Sequence, residues 1–344
     1  MRNLDLIQYI IVIDGSSYQP MYDAMFFELR DRKDVTVLVD NPNTSFCKRI
    51  LLKKKVQKLT QGRFDFLAYE KNNLYSTIRE KMHVYNKVYV LFLNAGLYHN
   101  PYLAGILRKY KEEFNNLKYI LFYLDIFGVS ASRNADYLRN ENIFDLVYTI
   151  DKNNASDNNL IVWNTIYSKT HNDFIANAAD LYFCGVLKGR ERILLKCLQK
   201  ARENGVKCSF EILREENSEV IDSLVNNDEV TVLKDYKKYD EVLYGERSAK
   251  CILEVVQKGQ TALTLRPYEA VVYNKKLLTN NKSILEFKYY NPRFMRVFNS
   301  VDDIDWEWVT NSEEIEYNYQ GDFSPELLLD DIRKRLDIYK GEIC

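Results

Sequence analysis

Five polar side chains crowd into ten residues at the start of a short predicted helix. They are Gln260, Thr261, Thr264, Arg266 and Glu269. Together they offer an amide, two hydroxyls, a cation and a carboxylate, a set that can bind a ligand carrying phosphate and hydroxyl groups. Helix stability explains only part of the group: a first-turn Glu suits the helix dipole, and an Arg266–Glu269 pair on an exposed helix contributes only about 0.2–0.5 kcal/mol. The crowding therefore predicts a polar ligand site.

A second group follows the predicted strand DLYFCG. Gly185 and Gly189 permit close backbone approach, and Lys188 and Arg190 bring two cations to the start of a helix. A helix N-terminus with neighbouring cations favours a diphosphate. An ordinary solvated turn is the alternative interpretation. Asn280, at the end of the strand KKLLTN, is the third polar feature of this kind.

Short apolar runs alternate with segments of helical length along the chain. Strands that read as continuous apolar runs have helices on both faces, which is typical of a parallel α/β sheet. The first series of runs is YIIVID at 9–14, VTVLVD at 35–40, KVYVLFL at 87–93, KYILFYL at 118–124 and DLVYTI at 145–150.

A second series follows the polar run DKNNASDNN. It comprises DLYFCG, KCSFEIL, EVTVL, CILEVVQ and KKLLTN, with a helix over 190–204 that ends at Gly205. A chain of 344 residues is long enough for two domains. The sequence therefore predicts an α/β protein with two Rossmann-like, doubly wound parallel-sheet domains facing a cleft, over 1–172 and 173–322, and a C-terminal helix within 323–344.

The predicted topology brings the polar groups together. In open parallel sheets, ligands bind outside the carboxyl ends of the strands, where helix N-termini point into the crevice. The 260–269 group, the 185–190 loop and Asn280 all follow strands of the second domain. We therefore expect them to share one site.

Composition narrows the classes of partner. The 48 Lys and Arg residues balance 49 Asp and Glu residues, so the net charge of -1 gives no general attraction to nucleic acid, and no nucleic-acid partner is expected. The six cysteines form no CxxC pair and several lie in apolar runs, which indicates buried thiols in a reducing compartment. We expect the apolar run near residue 10 to be a first strand and not a signal peptide, and no run reaches the roughly 18 apolar residues of a membrane span; both points predict a cytoplasmic protein.

Four segments resemble one family. KGRERILLKCLQKARENG, QTALTLRPYEAVVYNKKLLTNN, KYYNPRF and FDLVYTID are similar to segments of bacterial cell-surface polysaccharide and lipopolysaccharide glycosyltransferases of the GT-B fold. The resemblance covers most of the second domain and the end of the first. It implies that the second domain binds a nucleotide-sugar donor, that the first binds the acceptor, and that the C-terminal helix packs back on the first domain.

The resemblance also implies roles and substrates. Arg266 is expected near phosphate, and the Glu269 carboxylate is expected to accept hydrogen bonds from ribose or sugar hydroxyls. Many retaining members carry two glutamates eight positions apart; Glu269 resembles the second, but Thr261 occupies the position of the first, so both stereochemical outcomes stay open. The expected donor is a UDP-sugar, and the expected acceptor is a growing surface polysaccharide or lipopolysaccharide.

Two other functions fit the same architecture. A nucleotide-sugar 2-epimerase needs several ionisable groups around the sugar, but none of the three histidines lies within 257–281. A non-catalytic GT-B-like scaffold subunit would keep the fold, although the Arg266 and Glu269 cluster argues against it. Hexosyl transfer is therefore the preferred interpretation.

An inverting transferase needs a general base for the acceptor hydroxyl. Asp14, His99 and Asp125 lie at predicted carboxyl ends of strands in the first domain, and Asp14 and Asp125 are the favoured candidates. Aspartates also cap helices and turns, which is the alternative interpretation. Because helix dipoles and cations can stabilise a departing diphosphate, neither a metal nor another cofactor is expected.

A basic segment lies in the first domain. Residues 41–64 include no Asp or Glu, and their cations include Lys48, Arg49, Lys53, Lys54 and Lys55. An anionic leaflet attracts each surface cation by about 1 kcal/mol. The segment therefore predicts peripheral contact with the inner leaflet, where a lipid-linked acceptor would lie; a solvated helix with one buried face is the alternative.

Overall fold

The computed structural model describes residues 6–14, 19–40, 73–93, 103–124, 142–150, 155, 160–170, 173–187, 189–213, 228–257 and 263–338. Contacts divide the chain into two compact units. Unit 1 comprises Met1–Ser168 and Phe323–Cys344, and unit 2 comprises Lys169–Asp322.

Unit 1 contains a six-stranded parallel sheet. Its strands are Ile7–Asp14 (β1), Val35–Asp40 (β2), Lys87–Leu93 (β3), Leu117–Tyr123 (β4), Leu146–Thr149 (β5) and Ile161–Val162 (β6). They lie in the order β2-β1-β3-β4-β5-β6. Alternate side chains of β1 enter two separate cores: Tyr9 and Ile11 enter one, while Ile10 and Val12 enter the other. A strand with two buried faces has no polar face, which explains its continuous apolar sequence.

Unit 2 contains a second six-stranded parallel sheet. Its strands are Ala179–Val186 (β7), Cys208–Leu213 (β8), Val230–Leu233 (β9), Ala249–Glu254 (β10), Lys276–Thr279 (β11) and Met295–Val297 (β12). They lie in the order β12-β11-β10-β7-β8-β9. Strands β8 and β9 are added in turn on one side of β7, and β10, β11 and β12 are added in turn on its other side. This is the strand order of dinucleotide-binding sheets.

Helices connect the strands of both sheets. Those in the described ranges are Gln19–Met25 (α1), Asn73–Val84 (α2), Leu103–Glu113 (α3), Glu191–Glu203 (α4), Tyr239–Ser248 (α5), Arg266–Val272 (α6), Trp306–Thr310 (α7) and Pro325–Ile338 (α8). Helix α4 buries Leu194, Cys197, Leu198 and Ala201, the face that its 3.6-residue periodicity predicts. None of these helices has both the length and the apolar character of a membrane span.

Helix α8 belongs to unit 1 although it lies at the far end of the sequence. Its buried face shares a core with β1, β3 and β5. Tyr148 Oη donates a hydrogen bond of 2.7 Å to Asp331, and Tyr9 Oη donates one of 3.3 Å to the Leu329 carbonyl. Burial of an aliphatic side chain contributes about 1.5–3 kcal/mol, so four such residues make this helix an integral part of the unit. They are Leu328, Leu329, Ile332 and Leu336.

Candidate functional site

The sheet of unit 2 divides between β7 and β10. These two strands pair as far as Tyr182 and Ile252, whereas β7 stays paired with β8 up to Val186 and Leu213. Beyond the Tyr182–Ile252 pair, β7 and β10 share no further register pair, although β7 continues to Val186 and β10 to Glu254. This is the point at which the strand order reverses, where open α/β sheets bind their ligands. We call this opening the β7–β10 split.

Helix α4 begins beside the split. The preceding Gly189 has φ +78°, a left-handed conformation that favours glycine, and this turns the chain from β7 into the helix. Arg190 occupies the N-cap position, and its cationic side chain caps no amide of the first turn. The N–H groups of such a turn carry partial positive charge and favour an anion. The start of α4 is therefore suited to phosphate.

The Arg190 guanidinium bridges the split. Nε donates to the Leu187 carbonyl at 3.0 Å, and Nη1 donates to the Val255 carbonyl at 2.5 Å. Nη2 donates to the Val186 carbonyl at the end of β7. Val255 directly follows β10, so a single planar group joins both strands after their own pairing has ended. The guanidinium also lies 5.6 Å from the centroid of the Phe183 ring.

Gly185 leaves room for this arrangement. A Cβ atom there would lie 3.3 Å from Phe183 Cζ and 3.4 Å from Arg190 Nη2. The contact with Phe183 is tighter than ordinary van der Waals contact, and the contact with Arg190 lies at its lower limit. The glycine therefore gives space to the Arg190 side chain, whereas the sequence predicts that this space admits a ligand.

Glu254, the last residue of β10, holds the chain that follows it. Its buried carboxylate accepts hydrogen bonds from the hydroxyls of Thr264 and Thr279. Asn280 Oδ1 accepts a 2.7 Å bond from the amide of Val256. The predicted site residues Thr264 and Asn280 thus contact the end of β10, so they help to fix the segments after β10 and β11 at the edge of the sheet.

Arg266 and Glu269 contact each other inside unit 2. Arg266 Nη1 lies 2.6 Å from Glu269 Oε2 and also forms an ion pair with Glu246. Arg266 Nη2 donates to the Cys184 carbonyl at 3.3 Å, and Tyr239 Oη donates to Glu269 Oε1. Helix α6 is almost wholly buried, so the weak pairing expected of an exposed helix does not describe this ion pair.

The carboxylates outnumber the cation in this cluster. Glu246 is fully buried, and neither of its oxygens accepts a hydrogen bond of good geometry in the described structure. Burial raises the pKa of Glu246 well above its ordinary value; the Arg266 charge opposes this effect, and the neighbouring Glu269 carboxylate reinforces it. Burial likewise raises the pKa of Glu254. The hydrogen bonds from the hydroxyls of Thr264 and Thr279 have the smaller, opposite effect, because they favour the ionised carboxylate. Glu246 therefore tends to hold a proton.

Glu246, Glu254 and Tyr239 were not among the site residues predicted from the sequence. Two of them carry a recognisable signal. Glu254 ends an otherwise apolar strand. Glu246 lies three and four residues after Leu243 and Val242, which places it on the buried face of α5. A charged residue on an apolar face needs a partner, and here Arg266 supplies it.

Other predicted site residues lie outside the described residues. Lys188, Gln260, Thr261 and Asp125 do so, as does the side chain of Asp14 at the end of β1. The basic residues Lys48, Arg49, Lys53, Lys54 and Lys55 lie outside them too. Within the described ranges, no three His, Cys, Asp or Glu side chains are grouped to hold a metal ion.

The fold has solved counterparts, although no family model and no curated protein matches the sequence. An α-glucosyltransferase in complex with UDP-glucose and DNA containing an abasic site shares 10% identity, with a TM-score of 0.57 over 96% of this chain and 99% of that chain. A Listeria monocytogenes protein described as a UDP-N-acetylglucosamine 2-epimerase shares 9% identity, with a TM-score of 0.52 over 96% and 97%. The chain has the GT-B fold. The predicted α/β class with two Rossmann-like domains is confirmed; at such identities the likeness concerns fold alone.

Proposed function

We propose that this chain is a glycosyltransferase that takes its sugar from a nucleoside diphosphate sugar bound by unit 2. The observation that carries the proposal is the position of the α4 N-terminus, which follows β7 directly beside the β7–β10 split. A helix N-terminus at the reversal of strand order is where α/β sheets hold phosphates. The diphosphate of the donor would lie there, next to Gly189, and would replace the Glu191 carboxylate, to which the Gly189 amide donates at 3.3 Å.

We propose UDP as the nucleotide. One structural counterpart was solved with UDP-glucose and the other is a UDP-N-acetylglucosamine 2-epimerase by name, which supports this choice. Lys188, Gln260 and Thr261 stay donor-binding candidates on sequence grounds. Arg266 and Glu269 bind each other, so a donor in contact with either side chain would share it with this ion pair.

The reaction joins an acceptor hydroxyl to the anomeric carbon of the donor sugar. The acceptor oxygen forms the new glycosidic bond, the bond from the anomeric carbon to the phosphate oxygen breaks, and the nucleoside diphosphate leaves with that electron pair. The hydroxyl proton passes to a base, for which Asp14 and Asp125 of unit 1 are our candidates. The α4 amides would stabilise the charge on the departing diphosphate, and we propose that the transfer needs no metal.

We propose a surface glycan, polysaccharide or lipopolysaccharide, as the acceptor on the strength of the sequence resemblance. The basic segment 41–64 would attract the anionic inner leaflet on which a lipid-linked glycan is carried. DNA is the second candidate, because the chain matches nearly the whole length of an α-glucosyltransferase solved with DNA. The same cations would attract its phosphates.

Nucleotide binding tests the donor site. A ligand that binds only the native protein raises its melting temperature, so UDP, GDP, dTDP, ADP and CMP can be compared directly. We expect UDP to give the largest rise, and we expect Gly189→Ala to reduce it. No rise with any nucleotide would refute the proposed donor site and favour the scaffold interpretation.

Product analysis then separates the activities. UDP-sugars labelled in the sugar are incubated with lipid-linked glycan, with duplex DNA and with no acceptor. Label in the glycan supports the proposed acceptor. Label in DNA would show that DNA, the second candidate, is the acceptor instead. Conversion of the free nucleotide sugar into its 2-epimer without any acceptor would identify an epimerase instead.

A further inference from the structure

We propose that Arg190 is a positioning residue that fixes the width of the β7–β10 split and thereby places the donor. The inference deepens the proposed function and rests on it. It differs from the role that the sequence predicts for Arg190, which is direct attraction of the donor phosphates. The distinction matters because a positioning residue acts through the geometry of its hydrogen bonds, whereas an attracting residue acts through its charge.

The hydrogen bonds of Arg190 span the place where the sheet has none of its own. Strands β7 and β10 share no register pair beyond Tyr182 and Ile252. The carbonyl of Val186, the last residue of β7, and that of Val255, the residue after β10, lie beyond that point, and the same guanidinium donates to both. It therefore replaces the missing ladder with a bridge from side chain to backbone.

The bridge connects directly to the proposed phosphate site. Arg190 is the N-cap of α4, and its Nε also bonds the Leu187 carbonyl in the turn that leads into the helix. The end of β7, the start of α4 and the residue after β10 are thus fixed to one rigid planar group. A change in the separation of the strands would displace the first-turn amides of α4 relative to Val255.

Lysine cannot form this bridge. The guanidinium presents five N–H donors in a fixed planar fork, whereas an ammonium group is a point donor at the end of a flexible stem. The side chain also lies against the Phe183 ring, and Gly185 leaves room for its Nη2. Arg190→Lys therefore keeps the charge and loses the geometry, so it separates the two roles.

The test compares Arg190→Lys and Arg190→Ala with the wild-type protein. Arg202→Lys is the matched control, because Arg202 lies at the other end of α4 and pairs with Glu229. The dissociation constant for UDP and the KM and kcat for the UDP-sugar are measured. Positioning predicts that both Arg190 variants weaken UDP binding and raise KM by at least about tenfold, with a smaller change in kcat. The control should stay within about twofold of wild type.

Amide hydrogen exchange gives a readout that needs no ligand. We expect peptides over 183–190 and 253–257 to exchange faster in Arg190→Lys than in the wild-type protein, and peptides of the unit 1 sheet to be unchanged. Near wild-type UDP affinity in Arg190→Lys, combined with a loss in Arg190→Ala, would overturn the inference in favour of charge attraction. Unchanged exchange in both variants would also overturn it. If the wild-type protein binds no nucleotide, the proposed function fails. The amide-exchange comparison alone then tests whether the Arg190 hydrogen bonds fix the width of the β7–β10 split.

Discussion

Arg190 and Arg266 receive the same predicted role from the sequence, but unit 2 places them in different surroundings. Arg190 donates to the main-chain carbonyls of Leu187, Val186 and Val255. Arg266 forms ion pairs with the buried carboxylates of Glu246 and Glu269. The first arginine joins backbone segments, whereas the second balances charge and also donates to the Cys184 carbonyl of β7.

The difference shows that the role of a cation in a polar loop cannot be predicted from its residue type alone, because the role depends on the groups that the cation contacts. Loss of Arg190 removes a donor from three neutral carbonyls and leaves no unpaired charge among them. A buried carboxylate that loses its cation must remain charged in a poor solvent or take up a proton. Loss of Arg190 should therefore disturb ligand binding more than stability, and loss of Arg266 should do the reverse.

The largest expected effect is on stability in Arg266→Met. It leaves the buried Glu269 carboxylate without its cation, next to Glu246, and breaking a buried ion pair in this way costs about 3–5 kcal/mol of the free energy of unfolding. The methionine keeps much of the side-chain volume, so lost packing contributes little. Arg190→Met should cost only about 1–2 kcal/mol, since its carbonyl partners are neutral. Urea unfolding of both variants measures the difference.

Removal of the carboxylates provides the control for Arg266. In Arg266→Met combined with Glu246→Gln and Glu269→Gln, no unpaired charge remains, and most of the lost stability should return. Equal losses in Arg266→Met and Arg190→Met would contradict the contrast between the two arginines.

The next effect is a change in pH dependence, expected in Glu246→Gln. Since burial raises the pKa of Glu246, the folded chain holds this proton to higher pH than the unfolded chain does. Protonated Glu246 contributes its full stability below its ordinary pKa of 4.5. This contribution is lost as the pH rises through the pKa of Glu246 in the folded protein. Glutamine is neutral throughout, so the variant should lose less stability than wild type between about pH 5 and pH 8, by on the order of 1 kcal/mol.

Measurement of unfolding free energies across that range checks the prediction. Arg266 and Glu269 face the same group, and neither is altered in this variant. Glu286→Gln is the control, because Glu286 is an exposed carboxylate of the same unit. Parallel pH curves for wild type and Glu246→Gln would show that Glu246 is ionised in the folded protein.

A matched pair of glycines separates stability from ligand binding. Gly189 at the split has φ +78°, and Gly205 beyond the end of α4 has φ +70°. A Cβ at either position meets no atom within 4 Å, so alanine should cost each variant a similar amount, about 1–2 kcal/mol, through backbone strain alone. Only Gly189→Ala should weaken UDP binding, by about threefold or more. Equal binding losses in thermal shift titrations would count against a ligand at the start of α4.

Much of the fold follows from local patterns. The predicted strand 35–40 matches β2, the predicted strand 87–93 matches β3, and 118–124 differs from β4 by one residue at each end. Buried parallel strands leave continuous apolar runs, which are hard to miss. Strands β6 and β12, with two and three residues, were not predicted because a run that short has no period. Tertiary pairing creates them.

The site was harder to predict because its decisive contacts are distant in sequence. Arg190 Nη1 bonds a carbonyl 65 residues away. Arg266 pairs with Glu246, which lies in a different helix. Residue types identified the polar loops, but the direction of each side chain depends on which strands are neighbours. The end of the pairing between β7 and β10, which Arg190 spans, exists only in the assembled sheet.

Gly185→Ala should give the smallest effect and test the bridge most selectively. Its Cβ would lie close to Phe183 Cζ and Arg190 Nη2, and side-chain atoms can yield by a few tenths of an ångström. We expect less than about 1 kcal/mol of lost stability and a two- to threefold weaker binding of UDP. In an Arg190→Ala background the same substitution should change UDP binding no further, because the group that it displaces is already gone. An equal loss in both backgrounds would mean that Gly185 serves the ligand directly, as the sequence predicts, and not through Arg190.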